Sequence, residues 1–586
     1  MIFTTLCSYF EKLEETSSRL ALIDILSDLF RKASKDEIDK IVYLTQGRIA
    51  PFFEPLEIGM AEKNVAESIA RAYGSTKEDV LKLYQKMGDM GLVAQDLNGR
   101  HSGQARMTVS EVFEILTKIA KTSGQGTVEK RQTLLSDLLK KLDLISAKHL
   151  VRIPLGNLRL GIGDPTILDG LALAKLHDRT KRKLLEGAYN RTSDLGLISK
   201  TLCEKGLHAV EKLNVQVGKP IRVELCERLP TPEKVIEKLK EVDAQLKFDG
   251  FRVQIHLDRT KRLGRGQVSM FSRNLENMTH MFPELIEATL RQVKAKTAIL
   301  DTEALAYNKE SEEFLPFQET TKRRRKHNIK EVAEKLPLKA FVFDILYKDG
   351  RSLIDKPLVE RMKILKETVK KDDVLIPTKN QIISDSKVLS LMLDDAISKG
   401  LEGVVVKRLE SKYTAGGRNF NWVKLKRHSD GELNDTVDCV VLGYIFGKGK
   451  RTAFGAGALL VGVYDDENDE FVTVSKIGTG LTDEEWREIK AQSSKLKAQS
   501  KPSRVNSLIA PSVWVEPKIV IEVLADEITR SPIHTAGASV AASGEKEAGY
   551  ALRFPRLVSF RGGDKRAEDA TTVRELIEMY KLQGKK

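Results

Sequence analysis

At 586 residues the chain is too long for one hydrophobic core and calls for roughly three or four domains. With 41% hydrophobic and 31% charged residues it reads as globular and water-soluble, and no apolar run reaches the length of a bilayer span. The net charge of +14 favours a polyanionic partner and leaves DNA, RNA and an acidic membrane surface open. Cys7, Cys203, Cys226 and Cys439 are scattered without a CxxC pair, which indicates neither a zinc site nor a disulfide framework. Met1–Phe10 is moderately apolar but lacks a basic leader and runs into Glu11, Glu14 and Glu15. No secretory signal is expected there, and the expected location is intracellular, cytoplasmic in a prokaryote.

Residues 1 to about 215 read as mostly helical. Leu134, Leu135, Leu138, Leu139 and Leu142 recur at helical spacing and mark a buried stripe. Asp164-Pro165 predicts a helix start with the aspartate as cap and the proline in the first turn. The glycine-bearing loop Leu158–Gly163 before it carries Arg159 and suits either a phosphate or a plain helix connection.

From about 216 to 426 the pattern changes to strands mixed with helices. Ala244–Lys247 ends one strand, Asp249-Gly250 turns, and Val253, Ile255 and Leu257 alternate with Gln254 and His256 in the next. A lysine at such a strand end suits nucleophilic chemistry if burial or nearby cations keep its amine neutral; the plainer reading is a surface lysine before a hairpin. Phe271–Asn274 follows a further strand, and Ala298–Ala304 carries Asp301 and Glu303 at positions of the same parity. Phe341–Leu346 reads as a buried strand, and Leu401–Lys407 runs from Glu402 to Lys407. Alternation puts Trp422, Lys424 and Lys426 on one strand face and Val423 and Leu425 on the other. Carboxylates that hold a hard divalent cation, beside arginines and lysines that neutralise developing charge, are what phosphoryl chemistry needs. The basic run Lys322–Lys326 fits a nucleic-acid backbone or a solvated face equally.

After Lys426, His428–Gly431 reads as a hinge. Short apolar strands follow at Val440–Leu442, Ala458–Val461, Phe471–Val474 and Ile519–Ile521, which suggests a small barrel of the OB type. Gly447–Arg451 is glycine-rich and basic without the spacing of a P-loop.

Lys247-Phe248-Asp249-Gly250 resembles the KxDG motif of covalent nucleotidyltransferases, the polynucleotide ligases and messenger-RNA capping enzymes. Gly156–Gly161 and Ala188–Gly196 resemble stretches of the helical DNA-binding domain of replicative ligases, which capping enzymes lack. The chain as a whole is similar to ATP-dependent DNA ligases of the archaeal and eukaryotic replicative type. The resemblance implies a multidomain α+β protein: a helical DNA-binding domain at 1–215, an α/β nucleotidyltransferase (adenylation) domain at 216–426 and an OB-fold β-barrel at 427–586. It implies ATP and Mg²⁺ as cofactors, with Mn²⁺ as a substitute, and nicked double-stranded DNA as substrate for a monomer that binds no membrane.

Residue by residue, Lys247 is similar to the lysine that becomes adenylated, and Asp249 completes its motif. Arg252 and Arg273 match arginines that contact ribose and phosphates, and Phe343 the aromatic that stacks on adenine. Glu303 and Glu402 match the metal- and ribose-binding acids, Lys407 a motif lysine, and Arg418, Lys424 and Lys426 the triphosphate-facing basic residues. Arg561 and Lys565 resemble the closing motif that assists pyrophosphate departure, in a stretch one residue longer than usual. Where many relatives have a glutamate that accepts from the adenine amino group, this chain has Gln245, whose amide could turn to suit either purine; relaxed selection against GTP is the expectation. Gln104–Met107, the nearest counterpart of a sliding-clamp contact, lacks the paired aromatics. The rival readings are an RNA ligase or capping-type enzyme, and a basic DNA-binding scaffold with no chemistry. An NAD-dependent ligase is disfavoured by the absence of zinc-ligand cysteines.

Overall fold

The computed structural model describes residues 1–99, 106–261, 267–308, 313–315, 319–320, 322–324, 328–398, 401–426, 435–446, 456–478, 481–538 and 548–583. Gln104-Ala105, Arg325-Lys326, His428–Gly431 and Gly447–Arg451 lie outside these. Among the described residues no helix is long and apolar enough to cross a membrane.

Helices from Phe3–Glu15 to Leu207–Glu211 form the first part of the chain around one continuous core. The leucine stripe behaves as its period requires: Leu135, Leu138, Leu139 and Leu142 are buried and Leu134 packs at the edge of the core. The Asp164–Leu176 helix starts where expected, with proline in its first turn, but Gly163 occupies the cap position and no side chain caps it. Asp164 instead accepts from Arg222 at 2.7 Å, the Tyr189 hydroxyl at 2.5 Å and Gln46 at 2.9 Å, tying the helical part to the chain that enters the sheets. Arg159 is turned inward, 3.2 Å from Asp89 and 3.0 Å from the Gly88 carbonyl, and is therefore engaged by protein groups rather than free for a phosphate.

The middle of the chain builds two sheets. One is five-stranded, in the order Leu225–Arg228, Arg418–Lys426, Gly403–Arg408, Val242–Lys247, Asn380–Ile383. The other runs Val268–Ser272, Phe251–Asp258, Thr297–Asn308, Leu338–Lys348 and Arg351–Ser352, with two short strands at its side. Asp249-Gly250 is therefore a crossover between sheets and no hairpin turn. A Cβ at Gly250 would lie 2.3 Å from the Ala304 carbonyl oxygen, a contact that only glycine avoids.

Val253, Ile255 and Leu257 enter the core of the second sheet as their period predicts. Gln254 and His256 are buried too, because the segment around Gly218–Ile221 covers that face. The Ile221 amide donates to Gln254 at 2.8 Å and the Gly218 amide to His256 Nδ1 at 3.0 Å. Burial pushes His256 down to about 3, so it stays neutral there. On the first sheet, Val404, Val406, Val423 and Leu425 pack against Leu389 and Leu393 of the Ser386–Ser398 helix, which leaves the opposite face for polar groups.

Within the basic run Lys322 is exposed, while Arg323 and Arg324 turn inward. Arg323 is 1% exposed and paired with Glu284, and Arg324 pairs with Glu276 at 3.0 Å, which corrects the expectation of a solvated or DNA-facing stripe at these two residues.

The last part is a largely antiparallel sheet ordered Lys497–Ala498, Val513–Val515, Val437–Ile445, Ala458–Asp465, Glu470–Ile477, Val505–Asn506. Val520–Leu524 joins it beside Val437–Ile445 and pairs in turn with Arg556–Phe560. It reaches back to the helical part: the Ser503 hydroxyl donates to the Gly161 carbonyl at 3.1 Å, and Thr166 donates to Asp469 at 2.9 Å.

Candidate active site

Between the two middle sheets, and closed from outside by the last part of the chain, lies a cavity of about 260 Å³. Lys247 and Gln245 project into it from the end of one strand, Lys407 and Val405 from the neighbouring one, and Trp422, Lys424 and Lys426 from the same face of a third. Across the crossover, Arg252, Arg273, Glu303 and Phe343 come from the other sheet and its connections. Glu402 and Arg418 add to the first sheet's side, Asp249 lines the cavity from the crossover, and Arg561 and Lys565 enter from the last part. The residues to which the resemblance gave nucleotide-binding or catalytic roles thus line one space.

Lys247 is ion-paired with Glu402. Burial alone would push its amine down, yet Glu402, with Glu303 behind it, carries it above the ordinary lysine range. The sequence argument that neighbouring cations keep it neutral is corrected: a carboxylate stands closer than any of them, and the resting amine is protonated. Burial works to raise Glu402, but Lys247, Lys426 and Lys424 hold it well below the usual carboxylate range; Lys426 Nζ is 3.6 Å away. Burial pushes Glu303 up to about 7 against the pull of Lys247 and Arg252. Asp249 is raised by burial and by Glu402.

Equal parity of Asp301 and Glu303 does not mean equal roles. Asp301 is fully buried and takes both ends of the Arg252 guanidinium, at 2.9 and 2.6 Å, with the Tyr413 hydroxyl donating to it at 2.9 Å. Arg252 is thereby aimed and kept charged, 5.2 Å from the centre of the Phe343 ring. Glu303 has no ion pair among the described residues. Phe343 meets Trp422 edge-on, 5.9 Å between centroids. Lys407 Nζ donates to the Phe343 carbonyl at 3.0 Å and sits 4.2 Å over the Trp422 ring; burial pushes it down.

The outer wall brings groups that sequence reasoning missed. Glu575 pairs with Arg418 and lies 3.8 Å from Lys424, while Asp435 pairs with Arg228 and lies 3.3 Å from Lys426. Lys565 pairs with Asp438, and Arg561 bonds Asp564 at 2.7 Å and Glu522 at 3.3 Å. Glu575 sits in the capping box of the Val573–Leu582 helix, so in the sequence it carries only the signal of a helix start. Asp243 was also missed, although its parity with Gln245 and Lys247 pointed to the same face.

The family model described as "ATP dependent DNA ligase domain" matches residues 224–426, "DNA ligase N terminus" residues 2–172, and "ATP dependent DNA ligase C terminal region" residues 452–564. The chain belongs to the ATP-dependent DNA ligases. It is 47% identical over 585 residues to a "Probable DNA ligase" of Dictyoglomus turgidum, covering 100% of this chain and 98% of the relative. It is 42% identical over 599 residues to "DNA ligase 2" of Thermofilum pendens (100% and 98% covered), and 39% over 602 residues to the "DNA ligase" of Sulfolobus acidocaldarius (100% and 99%). The three parts of the chain are the family's helical N-terminal, adenylation and OB-fold C-terminal domains. Sealing nicks in duplex DNA with ATP and a divalent ion such as Mg²⁺ is the general role of these ligases, in replication and repair, and the capping-type alternative is not favoured. The donor set fits that ion: Asp249, Glu303 and Glu402 are three oxygen-bearing acids on one cavity, and Glu303 near 7 exchanges a proton readily for a cation.

Proposed function

We propose that this ligase seals nicked duplex DNA through a covalent AMP adduct on Lys247. The observation that carries the reading is a buried lysine at a strand end, paired with a carboxylate, in a cavity whose walls supply Arg252, Arg273, Arg418, Lys424 and Lys426. In the first step the Lys247 amine gives up its proton to solvent, since Glu402 is held too acidic to keep it, and attacks the α-phosphorus of ATP. A nitrogen–phosphorus bond forms as the bond to pyrophosphate breaks. AMP then passes to the 5′-phosphate at the nick, and the 3′-hydroxyl displaces it, closing the backbone. Phe343 would stack on the base, Arg252 and Arg273 would hold ribose and phosphates, and the basic triad at 418, 424 and 426 would take the triphosphate. Lys407, fixed on the Phe343 carbonyl and over Trp422, would shape the base pocket and add charge behind it. Glu303 and Glu402 would hold the divalent ion, which supplies charge neutralisation at the phosphates when bound.

In this reading 1–215 grips DNA, 216–426 carries the adenylation chemistry and 427–586 closes the site, in an intracellular monomer. Clamp binding through Gln104–Met107 is not part of it. The test is incubation with α-labelled ATP and Mg²⁺. One AMP added in mass to the parent and none to Lys247→Arg supports the reading, because a guanidinium stays protonated. Equal labelling of the variant overturns Lys247. GMP transfer to RNA ends without sealing of nicked DNA would favour the capping-type alternative.

A further inference from the structure

Asp243, Gln245 and Lys247 share one face of the Val242–Lys247 strand, and all three are withdrawn from solvent: Asp243 is 1% and Gln245 2% exposed. Gln245 lines the cavity with Lys247, and its Nε2 donates to Asp243 Oδ2 at 3.0 Å. An ionised carboxylate only accepts, so this contact fixes which end of the amide is which. With nitrogen held by Asp243, the oxygen is the end left to offer a partner. Burial raises the Asp243 carboxyl above its ordinary range, while Lys407, opposite it in register on the next strand, and the Gln245 amide itself both favour the ionised form that the 3.0 Å contact requires.

We propose that Asp243 is a positioning residue for nucleotide choice: it holds Gln245 as a pure acceptor, which selects a purine with an amino group at its 6-position, as in adenine, over one with a carbonyl there, as in guanine. This rests on the reading that the nucleotide base enters the Lys247 cavity. The sequence expectation of an amide free to turn toward either purine is thereby replaced. A glutamine pinned by a neighbouring acid does the work of a glutamate. The pair also carries a consequence that a lone glutamine would not. Gln245→Glu in the presence of Asp243 sets two buried carboxylates about 3 Å apart, where both do not ionise together. The substitution therefore fails to sharpen the choice unless Asp243 is changed with it.

The test is single-turnover protein–AMP and protein–GMP formation by the full chain with Mg²⁺, at several concentrations of each triphosphate. The parent is expected to prefer ATP. Asp243→Asn, whose amide can either donate or accept, should lower the ATP-to-GTP ratio about tenfold, through the apparent KM more than the maximal rate. Gln245→Met, of similar length without donor or acceptor, should lower it as far. Gln245→Glu alone should slow adduct formation with ATP, and Asp243→Asn with Gln245→Glu should restore both rate and preference. A merely structural role for Asp243 predicts no such rescue. An unchanged ratio in Asp243→Asn, or a double variant no better than Gln245→Glu, overturns the pin. A parent labelled by neither nucleotide overturns the nucleotide reading itself.

Discussion

The inner and outer walls of the cavity use the same chemistry, arginine and lysine against carboxylate, to opposite ends. On the inner wall Arg252 meets Asp301 on adjacent strands of one sheet, and behind that wall Arg361 of the Leu358–Thr368 helix meets Asp344 at 2.9 Å with both side chains fully buried. Such pairs are scaffold: removing one partner strands a buried charge, at about 3–5 kcal/mol. The outer wall pairs groups from different parts of the chain, Arg418 and Lys424 with Glu575, and Arg228 and Lys426 with Asp435. Three of their basic members, Arg418, Lys424 and Lys426, are the groups proposed to take the triphosphate, so an incoming anion competes for the same cations. Identical ion pairs are thus permanent when both ends sit in one packed core, and exchangeable when the two ends belong to bodies that can part.

Four changes break or sharpen that contrast. Lys247→Arg should lower adduct formation by several orders of magnitude, read by intact mass, while leaving the urea midpoint near that of the parent. Asp301→Asn should remove about 3–5 kcal/mol of stability and impair adenylation with it, because Arg252 loses its aim; denaturation and labelling are expected to fall together. If labelling falls with stability intact, Asp301 is more than scaffold. Arg561→Ala should slow self-adenylation roughly tenfold or more, with a smaller loss in sealing of pre-adenylated nicks, since its wall closes over ATP. Equal losses in the two assays would detach Arg561 from the first step.

The smallest effect is expected at Glu575. Glu575→Gln should lower the apparent KM for ATP a few-fold, because an incoming triphosphate no longer has to displace a carboxylate from Arg418 and Lys424. Burial works to raise this carboxyl, but Arg418 and Lys424 hold it down to about 2. Its contribution to closure is then complete above its ordinary range near 4.5 and fades as pH falls toward 2. The effect of the variant should accordingly be the same at pH 6 and pH 8; a difference would mean another group titrates the latch.

What the sequence made legible follows from short-range periodicity. Alternation over 422–426 separated the cavity face from Val423 and Leu425, and the leucine spacing over 134–142 marked a helical core, since both depend on neighbours within one element. What it did not make legible depends on partners far along the chain. Asp164 looked like a cap and is claimed by Arg222, Tyr189 and Gln46. The protonation of Lys247 is decided by Glu402, and no local rule distinguishes Asp301, engaged by Arg252, from Glu303, left to the cavity. Glu575 was hidden because a capping box and an ion pair across a cleft ask for the same residue.

The close fit at Gly250 acts as a gauge. The nucleophile ends one sheet, Arg252, Glu303 and Phe343 lie on the other, and the crossover that links them passes against the Ala304 carbonyl at this residue with no room for a side chain. One added carbon would open the gap like a shim, moving Arg252, Glu303 and Phe343 away from Lys247 all at once while leaving each of them properly folded.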